Sequence, residues 1–173
     1  MNLNKIESCE KDYVNAIIEI PYGSSVKYEV DKESGAIFVD RVMYSSVIYP
    51  ANYGFVPHTL ADDGDPVDIL VLTNYALHVG SVIKCKLIGV LIMEDEGGMD
   101  EKLLAIPLSK IDPTFRDVNS LNDLPSFLLD RIKNFFETYK FLELDKWVKV
   151  KKYENEKVAY EILEKSISNY KKL

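Results

Sequence analysis

The stretch SVIKCKLIGVLIME (81–94) sets the architecture, because it reads as one strand long enough to bend around a barrel. Shorter strand-like runs surround it. VNAIIEI (14–20), VKYEV (26–30) and AIFVDRV (36–42) precede it, with DKESG forming a hairpin turn between the last two. DILVLT (68–73) comes next, KLLAIP (102–107) follows the turn-like EDEGGMDE, and KWVKVKKY (146–153) returns to strand late in the chain. The period changes in the last third. Leu128, Ile132, Phe135, Phe136 and Tyr139 recur at helical spacing in DLPSFLLDRIKNFFETYK, with Asp123 as the expected N-cap and Pro125 in the first turn. A second helix is expected from about Asn155 to Lys171, with Val158, Ile162, Leu163 and Ile167 on one face. Short strands followed by segregated helices predict an α+β fold, a closed or curved β-barrel with helices packed outside.

The 173 residues carry no repeat, low-complexity tract or linker, so one domain spanning 1–173 is expected. The longest apolar run is about Leu87 to Met93, far short of a membrane span, and the first residues lack the apolar core of a signal peptide. A cytoplasmic protein is the expectation. Cys9 and Cys85 lack metal-ligand spacing and read as two ordinary thiols. Lys and Arg number 21 against 28 Asp and Glu, a net charge of −7, which does not attract nucleic acid or an anionic membrane. A phosphate-bearing substrate would need a local basic cluster or bound cations.

The segment ADDGDPVDIL (61–70) crowds four aspartates against an apolar strand. Two such charges ~5 Å apart repel by roughly 3 kcal/mol at an effective dielectric of ~20. Asp63 and Asp65 fall on the same side of an extended chain, Pro66 delays the strand, and Asp68 stands at its mouth. Three carboxylates on one rigid edge can share a pair of hard cations. An EF-hand loop starting at Asp63 would need Gly at 68 and Glu at 74, where Asp68 and Asn74 stand, and no helix follows. An Asx-rich solvated turn would explain the segment alone. A second acidic cluster, MEDEGGMDEK (93–102), ends another apolar strand with Asp95, Glu96, Asp100 and Glu101, and two such strand ends favour a metal site.

DGDPVDI (63–69) resembles, at every position, the signature of the soluble inorganic pyrophosphatases of the first family, the magnesium-dependent single-barrel enzymes. The likeness runs in order through IEIP (18–21), KYEVDKESGAIFVDR (27–41), YPANYGF (49–55), GVLIMEDEGGMDEK (89–102), FFETYK (135–140) and KWVKV (146–150), covering roughly residues 14 to 150. It implies a closed five-stranded, OB-like barrel with extra strands and two outer helices. It also implies hydrolysis of pyrophosphate, carried as its magnesium complex, to two orthophosphates without a covalent intermediate. Asp63, Asp68, Asp95 and Asp100 would meet two or more Mg²⁺ ions, with Asp68 bridging, Glu19 reaching a further ion through water, and Mn²⁺, Zn²⁺ or Co²⁺ as substitutes. Asp65 would be the catalytic base. Lys27, Arg41, Tyr53, Tyr139 and Lys140 would hold phosphate, Glu29 and Glu96 would orient metal-bound waters, and Lys102 would stand behind the groups that touch the metal.

No Ser-His-Asp or Cys-His arrangement competes for the chemistry. His58 and His78 lie in loop-like context and take no role here, and Trp147 reads as a barrel packing residue near the site. Asn134 and Thr138 stand where some bacterial members carry histidines associated with subunit contacts, although chains of this size resemble those that form hexamers. The alternative reading is a non-catalytic barrel that binds divalent cations and phosphate. A nucleic-acid-binding barrel built on the eleven tyrosines is disfavoured by the acidic balance and by the lack of a basic-aromatic stripe.

Overall fold

The computed structural model describes residues 5–172. A seven-stranded mixed sheet runs β1 (Cys9–Glu10), β2 (Tyr13–Ile20), β5 (Asn52–Phe55), β6 (Asp68–Val71), β8 (Gly98–Pro107), β7 (Val82–Asp95) and β9 (Val148–Asn155). A further pairing of β2 with β7 joins the ends of the inner run, so β2, β5, β6, β8 and β7 form a closed ring of five strands. This is the OB-like barrel with extra strands that the resemblance implies. Hairpin β3 (Val26–Val30) and β4 (Ile37–Val42) forms a separate two-stranded sheet.

The long strand β7 makes closure possible. Its start pairs with β2, its end with β9, and its whole length with β8, with irregularities near Gly89 and Met93 that let it bend. A Cβ at Gly89 would lie 2.5 Å from the Leu121 side chain, so only glycine lets that loop close on the bend. Alternate residues of the barrel wall face two apolar clusters. Leu70, Leu91 and Leu104 pack towards helix α1 (Ser126–Thr138), which buries Ile132, Phe135 and Phe136. Ile69, Val90 and Leu103 pack towards helix α2 (Glu156–Tyr170), which buries Ala159 and Leu163. Strands covered on both faces explain why their sequences read as near-continuous apolar runs.

Three sequence expectations need correction. The N-cap of α1 is Pro125, not Asp123. Asp123 instead ends a short 3-10 helix, where Oδ2 accepts from the backbone N–H groups of Asn119 and Ser120, each at 2.9 Å. Trp147 is 47% exposed and lies before β9, outside the packed core. Strand β8 begins at Gly98 rather than Lys102, because the turn after β7 closes within Glu96 and Gly97. Cys9 is exposed and Cys85 buried, both as free thiols. No helix among the described residues is long and apolar enough to cross a membrane.

Candidate active site

Sheet register places the first charged contact. Asp68 opens β6 and stands opposite Lys102 in the parallel neighbour β8, and Asp100 lies two residues earlier on the same face. Lys102 Nζ therefore reaches both carboxylates, Asp68 Oδ2 at 2.5 Å and Asp100 Oδ1 at 2.6 Å, and also donates to the Tyr53 hydroxyl at 3.1 Å. Burial alone would lower the Lys102 pKa, but Asp68 and Asp100 raise it above its ordinary value. Burial raises the Asp100 carboxyl, with Lys102 opposing. Tyr53, buried beside the same carboxylates, is also raised, so its hydroxyl stays protonated and able to donate.

The other groups converge on this triad from five further segments. Glu19 comes from β2, where burial raises its pKa against the pull of Lys32 at 3.2 Å and the Val30 N–H at 2.8 Å. Asp63 and Asp65 sit in the turn before β6, exposed but facing the same cavity. Asp63 Oδ1 accepts from the Asp65 N–H at 3.0 Å, and Gly64 takes φ +93, a conformation that favours glycine. Lys27 and Arg41 are direct cross-strand partners on the β3–β4 hairpin, with Asp40 Oδ2 between them at 3.2 and 3.0 Å. Tyr139 and Lys140 end α1, and Lys140 Nζ contacts Asp95 Oδ2 at 2.7 Å and Glu96 Oε1 at 3.3 Å. Burial raises Tyr139 as well, leaving a second protonated hydroxyl.

One cavity of about 590 Å³ is lined by all the residues expected to touch metal or substrate: Glu19, Asp63, Asp65, Asp68, Asp95 and Asp100 on the acidic side, and Lys27, Arg41, Tyr53, Tyr139 and Lys140 on the other. Glu29 and Lys102 line it too. Glu96 stands behind it, held by Lys140 and by Lys146 Nζ at 2.5 Å. His58 is not among the lining residues and stacks on Tyr170 instead. Sequence reasoning passed over Lys32, Asp40, Glu143 and Lys146. Lys32, Asp40 and Lys146 lie inside quoted family-like blocks, whereas Glu143 lies between two of them, with no local signal.

The donors on the acidic side are all carboxylate oxygens, the chemistry that suits hard divalent cations rather than soft ones. Among the described residues no three His, Cys, Asp or Glu side chains are already gathered into a coordination shell. Lys102 and Lys140 hold four of the carboxylates instead, so cations would share Asp68, Asp95 and Asp100 with ammonium groups. The donor set fits a divalent metal.

Burial would push the Glu96 carboxyl up, but Lys146 and Lys140 bring it down to about 2, against an ordinary 4.5. A carboxylate depressed on folding contributes stability above its unfolded pKa and loses it as pH falls through the folded one. Glu96→Gln is therefore expected to flatten the acid limb of a melting-temperature profile between about pH 4.5 and 2. Parallel profiles for the two chains in that window would remove this contribution.

Residues 16–171 match the family model described as inorganic pyrophosphatase. The chain belongs to the inorganic pyrophosphatase family. It is 64% identical over 172 residues to an inorganic pyrophosphatase of Campylobacter jejuni, covering 99% of this chain and all of that one. A Helicobacter pylori inorganic pyrophosphatase is 58% identical over 171 residues, covering 98% and 99%. Among solved structures, an H. pylori inorganic pyrophosphatase superposes with a TM-score of 0.94 at 57% identity, over 96% of this chain and 99% of that one. The Thermus thermophilus inorganic pyrophosphatase gives 0.93 at 41% identity, over 99% of both. Membership of this family implies a divalent metal cofactor.

Proposed function

We propose that the chain hydrolyses inorganic pyrophosphate to two orthophosphates, as a single catalytic domain over residues 1–173. The observation that carries this reading is the pairing, in one cavity, of an all-oxygen acidic wall with the cationic side chains of Lys27, Arg41 and Lys140 and the hydroxyls of Tyr53 and Tyr139. Such a cavity suits a polyanion that arrives with its own divalent cations, which also answers how a chain of net charge −7 takes one up.

Asp63, Asp68 and Asp100, with Asp95 and Glu19, would hold the metal; Mg²⁺, two or more per site, is the proposed cofactor, with Mn²⁺, Zn²⁺ or Co²⁺ as substitutes. When bound, such ions acidify water and neutralise phosphate charge. Lys27 and Arg41 from the hairpin and Tyr139 and Lys140 from the end of α1 hold the phosphate oxygens from two sides, and Tyr53 donates from the barrel wall. An Asp65 carboxylate oxygen takes the proton of the attacking water. The water oxygen bonds to phosphorus as the bridging P–O bond breaks in line, and its electron pair leaves with the departing phosphate. Glu29 fixes Lys27 at 2.6 Å, Glu96 fixes Lys140, and Lys102 fixes Asp68 and Asp100. The enzyme acts in the cytoplasm as a homo-oligomer, a hexamer by the family's habit, without nucleic acid or membrane.

Phosphate release from pyrophosphate tests this directly. Release is expected with Mg²⁺ and none above background with excess chelator. No release with any of the four divalent ions would favour the alternative, a non-catalytic barrel that binds cations and phosphate.

A further inference from the structure

We propose that Glu143 is a positioning residue for Arg41, and that the pair clasps hairpin β3–β4 to the turn after α1 across the mouth of the site. The proposal rests on the reading of Arg41 as a phosphate-holding group. Glu143 Oε1 lies 3.3 Å from Arg41 Nε, with the two side chains only 9% and 27% exposed. Both atoms are shut off from solvent, and neither makes an aligned hydrogen bond. A buried carboxylate oxygen without a hydrogen bond is costly unless an opposite charge stands beside it, and Arg41 is that charge.

Backbone contacts bring Glu143 there. Its N–H donates to the Lys140 carbonyl at 2.9 Å, and the Phe141 N–H donates to Thr138 at 3.0 Å, so one tight turn presents Tyr139, Lys140 and Glu143 together. Ser45 Oγ, just past β4, donates to the Tyr139 carbonyl at 3.3 Å and ties the same two segments a second time. On the other side, Asp40 Oδ2 accepts from Arg41 Nη1 at 3.0 Å. Asp40 thus hydrogen-bonds Nη1 and the Glu143 charge stands beside Nε, while Nη2 makes no hydrogen bond among the described residues. A guanidinium held by one hydrogen bond and flanked by a second carboxylate keeps Nη2 within a narrow range of positions, with little orientational freedom to lose when an anion binds. Glu143 also sets the distance between the cations of the hairpin and Lys140.

Steady-state kinetics on pyrophosphate with Mg²⁺ test this in a double-mutant cycle. Glu143→Ala, and Glu143→Gln, which keeps the side-chain volume, are each expected to raise KM by roughly tenfold with kcat within about threefold. Arg41→Ala is expected to raise KM at least as far. Removing Glu143 from the Arg41→Ala chain should then change KM by less than about twofold, because the carboxylate acts only through the guanidinium. An unchanged KM in Glu143→Gln, or effects of the two residues that add in full, overturns the positioning role. A native KM in Arg41→Ala would withdraw the substrate role of Arg41 itself, and the clasp with it.

Discussion

Asp65→Asn is expected to lower kcat for pyrophosphate hydrolysis by about 10²- to 10⁴-fold, the usual span for loss of a general base, while leaving the melting temperature unchanged. The second half of that expectation follows from what Asp65 does in the turn. Its backbone carries the local structure: the N–H donates to Asp63 Oδ1 at 3.0 Å and the carbonyl accepts from Ala61 at 2.7 Å. The side chain is exposed to the cavity and can be neutralised without disturbing either bond. An amide keeps the shape and the acceptor oxygen but cannot take up a proton at neutral pH. A kcat within about threefold of native would remove Asp65 from the role of base.

Lys102→Met is expected to be the most destabilising single change at the site. It replaces an ammonium that is almost wholly buried between Asp68 and Asp100 and leaves two neighbouring carboxylates uncompensated. Breaking a buried pair in this way costs about 3–5 kcal/mol. For a chain of this size that corresponds to a fall in Tm of roughly 6–20 °C, at ~2–4 °C per kcal/mol. Because the freed carboxylates are hard-oxygen donors, Mg²⁺ should recover part of the loss, so the fall should be larger in chelator than with the metal. A Tm within about 2 °C of native in chelator would mean that Lys102 does not balance these charges.

The barrel strands were legible where apolar runs exceed about five residues, and the helices where the 3.6 period holds. Strand β5 was not. Its four residues, Asn52–Phe55, include Asn and Gly, which argue against a strand locally. The reason lies across the sheet: a Cβ at Gly54 would stand 1.9 Å from the Ile17 carbonyl oxygen, so close approach to β2 requires glycine there. Closure of the ring was equally hidden, since it rests on β2 pairing with β7 some seventy positions away, Val14 opposite Cys85. Of the site, the two acidic turns were visible as excess charge against apolar strands. Individual roles for Lys27, Tyr53 and Lys140 were not, because a surface lysine or a packed tyrosine looks the same whatever it faces; those came through the resemblance. Glu143 escaped both routes, since its meaning depends on a long-range contact with Arg41.

On the proposed function, carboxylates from the Asp63 turn, β6 and β8 converge on one cavity, where they would hold divalent cations beside a phosphate-binding wall. Anomalous diffraction from crystals soaked in Mn²⁺ tests it most directly. The expected result is at least two strong peaks inside the cavity, within bonding distance of oxygens from Asp68 and from Asp63 or Asp100. Peaks confined to the outer surface, with none among these aspartates, would contradict it.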